Sequence, residues 1–165
     1  MSTWVWVDGE VVPADAARVS AMDRGLLVGE GVYETCKVSG GTPFALTRHL
    51  ARLRASAEVL GIDLPWGDSY VRAACAKAVG AALVDTASGE APVGRLRITV
   101  TGGVGPLGPT AGGAEPTLLV AAGPSAPWAP TATVATVPWR RNEHSPAAGA
   151  KATSAIDNVL ALRSA

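Results

Sequence analysis

Cysteine is scarce in this sequence, and the two cysteines that occur form no recognisable pattern. Cys36 and Cys75 lie far apart and lack the close spacing of metal ligands. This usage predicts no metal site and a protein of the reducing cytoplasm. Because Cys75 falls on the apolar face of a predicted helix, we expect it to be a small core residue rather than a nucleophile.

Long apolar runs and an excess of either charge are also absent. No run is long enough to cross a bilayer, and the start of the chain lacks the basic and apolar regions of a signal peptide. Fourteen basic residues balance fourteen acidic ones, so the charge does not indicate a nucleic-acid or membrane partner. With 48% apolar and 17% charged residues over 165 positions, the composition is that of a folded chain with a core.

Hydrophobic periodicity predicts strands and helices along the whole chain. Asp8-Gly9 is a hairpin turn signal, Thr47 is a helix cap, Gly61 a helix stop, and the Pro-rich residues 123–130 indicate a linker. The predicted elements are strands Trp4–Val7, Glu10–Val12, Val32–Val38, Arg95–Thr101, Thr117–Ala122 and Thr131–Val137, and helices from Thr47 to Gly61, Ser69–Val84 and Thr153–Ala165.

This order of elements predicts an α+β fold. We expect residues 1–122 to form an N-terminal domain with a mostly antiparallel sheet and two packed helices. Residues 131–165 would form the incomplete start of a second domain, and residues 102–113 a flexible glycine- and proline-rich rim.

A glycine-rich loop at residues 23–31 resembles a phosphate loop only superficially. Gly29-Glu30-Gly31 precedes a predicted strand, whereas a dinucleotide-binding glycine motif opens a helix whose N-terminus holds the phosphate. We therefore exclude a Rossmann-type site.

Two arginines have open interpretations from the residues alone. Arg52, on a polar helix stripe with His49 and Ser56, would by default be solvated. Arg97 lies on the polar face of its strand beside Thr99 and Thr101, where it either holds a carboxylate or is solvated.

Lys151 is the residue that most strongly suggests chemistry. It stands between Gly149, Ala150 and Ala152, small residues that leave space for a planar ligand near the backbone. A lysine that forms a Schiff base needs a fixed position, small neighbours and partial desolvation. A solvated lysine before a helix is the simpler interpretation of these residues taken alone.

Four segments together resemble the class IV pyridoxal-phosphate enzymes, the D-amino acid and branched-chain aminotransferase type. They are the Trp-Val-Asp-Gly hairpin, the stretch from Asp23-Arg24-Gly25 to Tyr33-Glu34-Thr35, His49-Leu50-Ala51-Arg52-Leu53, and Arg141-Asn142-x-His144 with Ala148-Gly149-x-Lys151. Their common order and spacing make the resemblance specific. It covers the whole sequence but only the N-terminal part of the family's chain.

The resemblance implies a cofactor, a set of site residues and an assembly. It implies that Lys151 holds pyridoxal 5′-phosphate as a Schiff base and shuttles the proton, and that Arg52 binds the cofactor phosphate. It implies that Tyr33 lines the substrate pocket and that Arg97 binds a substrate carboxylate. The expected partner is a small amino substrate, and the expected assembly is a homodimer.

Departures from the family pattern separate its branches. The Arg141-Asn142-x-His144 lead is most similar to the aminodeoxychorismate lyases, which form 4-aminobenzoate and pyruvate for folate synthesis. Ile156 replaces a tyrosine of the branched-chain aminotransferases, and Gly102 replaces an arginine of the D-amino acid aminotransferases. Tyr33-Glu34-Thr35 is closer to the aminotransferases, which therefore stay the alternative.

A third interpretation is that the chain is an inactive half of such an enzyme. The family's acidic partner for the pyridine nitrogen would follow residue 165, and the last predicted helix lacks a glycine cap and a partner surface. We therefore expect a truncated chain with weak activity of its own.

Overall fold

The computed structural model describes residues 2–85, 94–108, 115–126 and 129–164. The strands are β1 (Trp4–Val7), β2 (Glu10–Pro13), β3 (Gly31–Ser39), β4 (Thr42–Pro43), β5 (Arg95–Thr101) and β6 (Thr117–Gly123), and the helices are α1 (Arg24–Leu27), α2 (Leu46–Leu60), α3 (Asp68–Asp85) and α4 (Ile156–Ser164). The described strands form one sheet in the order β2-β1-β6-β5-β3-β4, with every pair antiparallel. The predicted α+β class with an antiparallel sheet is confirmed.

The N-terminal hairpin follows its turn signal closely. Asp8 and Gly9 adopt φ values of 51° and 89°, the left-handed pair that a two-residue hairpin turn with the twist of the strands requires. β1 then pairs with β6 as well as with β2, so the hairpin is joined to the centre of the sheet.

One face of the sheet and the two long helices enclose the core. On this face Ile98 of β5 lies opposite Val120 of β6, and both are completely buried. Buried residues of α2 and α3, among them Leu53 and Cys75, pack against them. Burial raises the pKa of Cys36 to about 11 and that of Cys75 to about 12, so both thiols are core groups, as predicted for Cys75.

The opposite face carries polar side chains at the centre of the sheet. Alternation along β3 and β5 places Tyr33, Thr35, Arg97 and Thr99 on the side away from α2 and α3. We call this side the open face.

The predicted cap of α2 is wrong. The helix begins at Leu46 after Ala45, whose φ of 51° is left-handed and whose side chain makes no capping bond. Thr47 lies inside the first turn, and its hydroxyl accepts a hydrogen bond from Arg72 Nη2 of α3 at 2.7 Å. Thr47 therefore links α2 to α3 instead of capping α2. Gly61 ends α2, as predicted.

The strand predicted at Thr131–Val137 is also wrong. Residues 129–137 are described throughout, have no regular secondary structure and are nearly all exposed. Alternating threonine, alanine and valine favour a strand only where one face can be buried against a neighbour, and no described strand pairs with this segment.

The last helix begins later than predicted. α4 starts at Ile156 rather than Thr153, because the backbone amide of Thr153 donates to Gly31 O at 2.8 Å. A residue tied to a strand in this way is kept out of a helix.

Several predictions stay open. The division into two domains around residues 123–130 is untested, and residues 127 and 128 of that linker lie outside the described residues, as do residues 109–113 of the predicted rim. The rim's first part is held in place, since Val104 bridges Asp23. No helix among the described residues is both long and apolar enough to span a membrane.

Candidate functional site

Backbone contacts to two different elements fix the position of Lys151. Its amide donates to Ser56 Oγ of α2 at 3.0 Å, and its carbonyl accepts from the Tyr33 amide of β3 at 3.0 Å. Ala152 forms an antiparallel bridge with Val32. Residues 151–153 therefore extend the sheet beside the first half of β3, on the side that β5 does not occupy.

The glycine-rich loop makes this attachment possible. The hydroxyls of Thr153 and Ser154 donate to Gly29 O at 3.1 and 2.9 Å. A Cβ added at Gly29, whose φ is +71°, would lie 2.3 Å from Ser154 Oγ, and one at Gly31 would lie 3.0 Å from Thr153 Oγ1. Bare backbone is thus needed for residues 151–154, which we call the lysine segment, to approach the glycine-rich loop.

Three of the predicted site residues meet on the open face. Lys151 Nζ lies 4.1 Å from the centroid of the Tyr33 ring, and Arg97 Cζ lies 3.8 Å from the same centroid. Contacts of this kind between a cation and an aromatic ring are attractive. Arg97 Nε also donates to Thr99 Oγ1 at 3.1 Å, so the ring and a hydroxyl together orient this guanidinium.

The second threonine expected beside Arg97 has another role. Thr101 is buried, and its hydroxyl donates to Asp23 Oδ2 at 2.8 Å, as does the hydroxyl of Thr117. Asp23 Oδ1 in turn accepts from the Gly25 amide at the start of α1. Thr101 therefore braces the glycine-rich loop instead of joining a carboxylate site.

Arg52, the fourth predicted residue, binds a buried glutamate on the helix side of the sheet. Its Nε and Nη2 donate to the two carboxylate oxygens of Glu34, the second at 2.7 Å. His49 Nδ1 lies 2.7 Å from Glu34 Oε2 and must donate, because an ionised carboxylate only accepts. The Arg52 side chain is 56% exposed, whereas that of Glu34 is fully buried.

The charge state of Glu34 follows from these contacts. Burial acts to raise the pKa of its carboxyl, but the hydrogen bonds and charges of Arg52 and His49 outweigh burial and hold that pKa below its usual range. Glu34 is therefore an anion at neutral pH, held between two basic side chains of α2.

Sequence reasoning missed Glu34, His49 and Ser56 as contributors to the site. A signal for Glu34 was present, since it shares the parity of the buried Val32 and Cys36 along β3. A charged residue in an apolar row needs a partner. The polar stripe of α2 supplies that partner, and Ser56, one turn after Arg52, supplies the contact with Lys151.

The family profile described as "Amino-transferase class IV" matches residues 31–165. Among curated proteins, the chain is 40% identical over 60 residues to a D-alanine aminotransferase of Staphylococcus aureus, which is 36% of this chain and 21% of that protein. It is 33% identical over 104 residues to a putative branched-chain-amino-acid aminotransferase of Methanocaldococcus jannaschii, covering 63% of this chain and 34% of that protein. The matched region is thus about a third or less of each curated relative.

Several solved structures match over nearly the full chain. A 4-amino-4-deoxychorismate lyase from Pseudomonas aeruginosa is 27% identical with a TM-score of 0.62, over 96% of this chain and 56% of that one. A fold IV transaminase from Curtobacterium pusillum is 28% identical with a TM-score of 0.74, over 99% of this chain and 60% of that one. A branched-chain aminotransferase from Thermoproteus uzoniensis with norvaline is 25% identical with a TM-score of 0.76, over 100% and 56%.

Proposed function

Because this chain belongs to the class IV aminotransferase family, we propose that it holds pyridoxal 5′-phosphate through Lys151 and acts on the amino group of a small substrate that carries a carboxylate. The observation that carries this proposal is the meeting of two groups at one ring, Lys151 Nζ at 4.1 Å and Arg97 Cζ at 3.8 Å from the centroid of Tyr33. An amine that can attach an aldehyde and a guanidinium that can hold a carboxylate share one small area of the open face.

The residues present fit the cofactor in their donor chemistry. Lys151 is half-buried and fixed through its backbone, as an attachment residue must be. A Cβ added at Gly149 would meet no atom of the described residues within 4 Å, so the structure leaves space beside this glycine. Arg52 keeps N–H groups that Glu34 does not use, and a half-exposed guanidinium with free donors suits a phosphate.

Each residue has a distinct task in the proposed reaction. Bound pyridoxal phosphate supplies an electron sink that stabilises negative charge at the carbon next to the substrate nitrogen. Arg97 orients the substrate by binding its carboxylate. The Tyr33 ring contacts both Arg97 and Lys151 and so keeps the two side chains close together. Lys151 Nζ accepts the proton from that carbon and returns it later, the work of a general base and acid.

Among the family's reactions, we propose conversion of 4-amino-4-deoxychorismate to 4-aminobenzoate and pyruvate. The Arg141-Asn142-x-His144 lead and Ile156 favour this branch, and the similarity to the Pseudomonas aeruginosa lyase extends over 96% of this chain. Gly102 stands where the D-amino acid aminotransferases have an arginine, and this also favours the lyase. A Cβ added at Gly102 would lie 2.7 Å from Cδ of Glu30, so the structure leaves no space for an arginine side chain there. The Glu30 carboxylate pairs with Arg24.

Amino-group exchange with a 2-oxo acid is the second candidate. The 40% identity with a D-alanine aminotransferase over 60 residues supports it, as does the Tyr33-Glu34-Thr35 sequence. Lys151 would move the proton in both reactions. Pyruvate release from aminodeoxychorismate without an amino acceptor supports the lyase, and activity that requires a 2-oxo acid acceptor contradicts it. The homodimer and the cytoplasmic location stay predictions.

Covalent labelling tests the cofactor site without an activity assay. Pyridoxal phosphate added to the purified chain, followed by borohydride reduction and peptide mapping, should mark Lys151 and give a visible absorption band first. The sequence contains Lys37 and Lys77 as its other lysines, both exposed, so the map has to separate Lys151 only from these two and from the α-amino group.

The matched variants make this result decisive. Lys151→Ala should abolish the band, and Lys37→Ala should leave it unchanged. Label spread evenly over the three lysines, with no band, would contradict the proposed site and support the interpretation of an inactive half.

A further inference from the structure

Glu34 is a charged residue in an otherwise apolar layer. Along β3 it alternates with the open-face residues and shares its side with Val32 and Cys36, which are 0% and 1% exposed. Its neighbour across the sheet is Ile98, which is also fully buried. A charge in such a place costs free energy unless it is well paired, and Arg52 and His49 supply the pairing for Glu34.

Those contacts fix the Arg52 guanidinium in one orientation. Nε and Nη2 bind the two oxygens of Glu34 side by side, a paired arrangement that sets the plane of the guanidinium as well as its position. Since the group is planar and rigid, the N–H groups that Glu34 leaves unused lie on the other edges of the fork. His49 Nδ1 binds Glu34 Oε2 at 2.7 Å and restrains the carboxylate from a second side.

The anchored guanidinium is nevertheless open to solvent. Arg52 is 56% exposed while Glu34 is fully buried, so the anchor lies inside the protein and the free donors lie outside it. An exposed arginine would otherwise sample many rotamers, and ordering it on binding a ligand would cost affinity. The contact with Glu34 has already ordered it.

We propose that Glu34 is a positioning residue, which holds Arg52 in the orientation that grips the phosphate of the cofactor. The inference rests on the proposed function, in which Arg52 is the phosphate ligand. Glu34 does not touch the cofactor and acts through Arg52 alone. A purely structural ion pair would stabilise the fold without affecting phosphate binding, and simple charge neutralisation would make Glu34 weaken that binding.

Two aldehydes that differ only in the phosphate separate these cases. Absorbance titration of the purified chain gives a dissociation constant for each aldehyde. The constant for pyridoxal divided by the constant for pyridoxal phosphate is the ratio that measures how tightly the phosphate is bound. Arg52→Ala should lower that ratio by on the order of ten- to a hundredfold, the range expected for lost charge-assisted hydrogen bonds.

Glu34→Gln keeps the shape of the side chain but replaces one acceptor oxygen with a donor, so the paired contact with Arg52 is broken. Pyridoxal phosphate affinity should fall by on the order of tenfold, the cost of ordering a free arginine, with pyridoxal affinity nearly unchanged. In the double variant with Arg52→Ala, the loss should equal that of Arg52→Ala alone. Glu58→Gln, an exposed acid on α2, is the matched control and should bind like wild type.

Each other outcome overturns the inference. Unchanged or tighter pyridoxal phosphate binding by Glu34→Gln would mean that the carboxylate is idle or only neutralises Arg52, and equal losses for both aldehydes would mean a structural role. If Glu34→Gln does not fold, Glu34→Asp decides, because its charge is kept while its reach is shortened and the ratio must still fall. An unchanged ratio in Arg52→Ala would overturn the phosphate role of Arg52 together with this inference, while label on Lys151 would show that the attachment site stands.

Discussion

Tyr33 is the residue through which the two cations of the open face are related. The side chains of Lys151 and Arg97 both contact its ring, and the electron-rich ring attracts both cations. The sequence placed all three residues in one site only by resemblance, because periodicity reveals which face a strand residue occupies but not which distant segment comes to it. Glu34 was missed for the opposite reason, since its parity was visible but the identity of its partners on α2 was not.

The role of the ring is testable by substitution. Tyr33→Phe keeps the ring and should leave the yield of borohydride-fixed label on Lys151 close to wild type. Tyr33→Leu keeps apolar bulk but removes the ring, and should lower that yield as the amine loses an attraction of about 0.5–1 kcal/mol. Equal yields from the two variants would show that the hydroxyl or mere bulk, and not the aromatic face, positions Lys151.

At the scale of elements, local pattern predicted five of the six strands in the described sheet and the two long helices, but it did not predict β4 or α1. β1, β5 and α3 are within a residue or so of their predicted bounds, because each has a clear apolar face and a turn or breaker at its end. The failures occur where a neighbour decides the structure. Residues 131–137 have a strand-like composition but no described strand beside them. The hydrogen bond of the Thr153 amide to Gly31 of β3 keeps Thr153 out of α4, which starts later than predicted.

The close packing of the glycine-rich loop against the lysine segment gives a second prediction. Gly29→Ala should lower the free energy of unfolding by more than Gly40→Ala, because both have positive φ but only Gly29 would place its Cβ against Ser154 Oγ, at 2.3 Å. The positive φ alone should cost about 1–2 kcal/mol in each variant. Urea denaturation measures the difference.

A compensating change supplies the control for this joint. Ser154→Ala removes the hydroxyl that the new methyl group would meet, together with its hydrogen bond to Gly29 O, so the single variant Ser154→Ala is the reference. Adding Gly29→Ala to it should cost about as much as Gly40→Ala costs in the wild type. A cost as large as that of Gly29→Ala in the wild type would show that the close approach of the two segments is not the cause of the loss.

For the molecule as a whole, the buried carboxylate of Glu34 makes unfolding depend on pH. Its pKa is lowered in the folded state, so the unfolded chain binds the proton more readily, and the stability that Glu34 contributes is present above about pH 4.5. That contribution disappears as the pH falls below this value toward the folded-state pKa. Wild type and Glu34→Gln should therefore differ most near neutral pH and converge in acid, as measured by urea denaturation. A constant difference across the range would contradict the lowered pKa.

β3 has a partner along each of its two sides. β5 lies along one side, while the other side is shared by residues 151–153 at its start and by β4 at its end. The segment that carries the reactive amine therefore also covers a strand edge whose free amide and carbonyl groups would pair readily with another chain. Detachment of that segment would expose the Tyr33 amide and the Gly31 carbonyl, so we expect a change that detaches it to raise the tendency of this protein to aggregate.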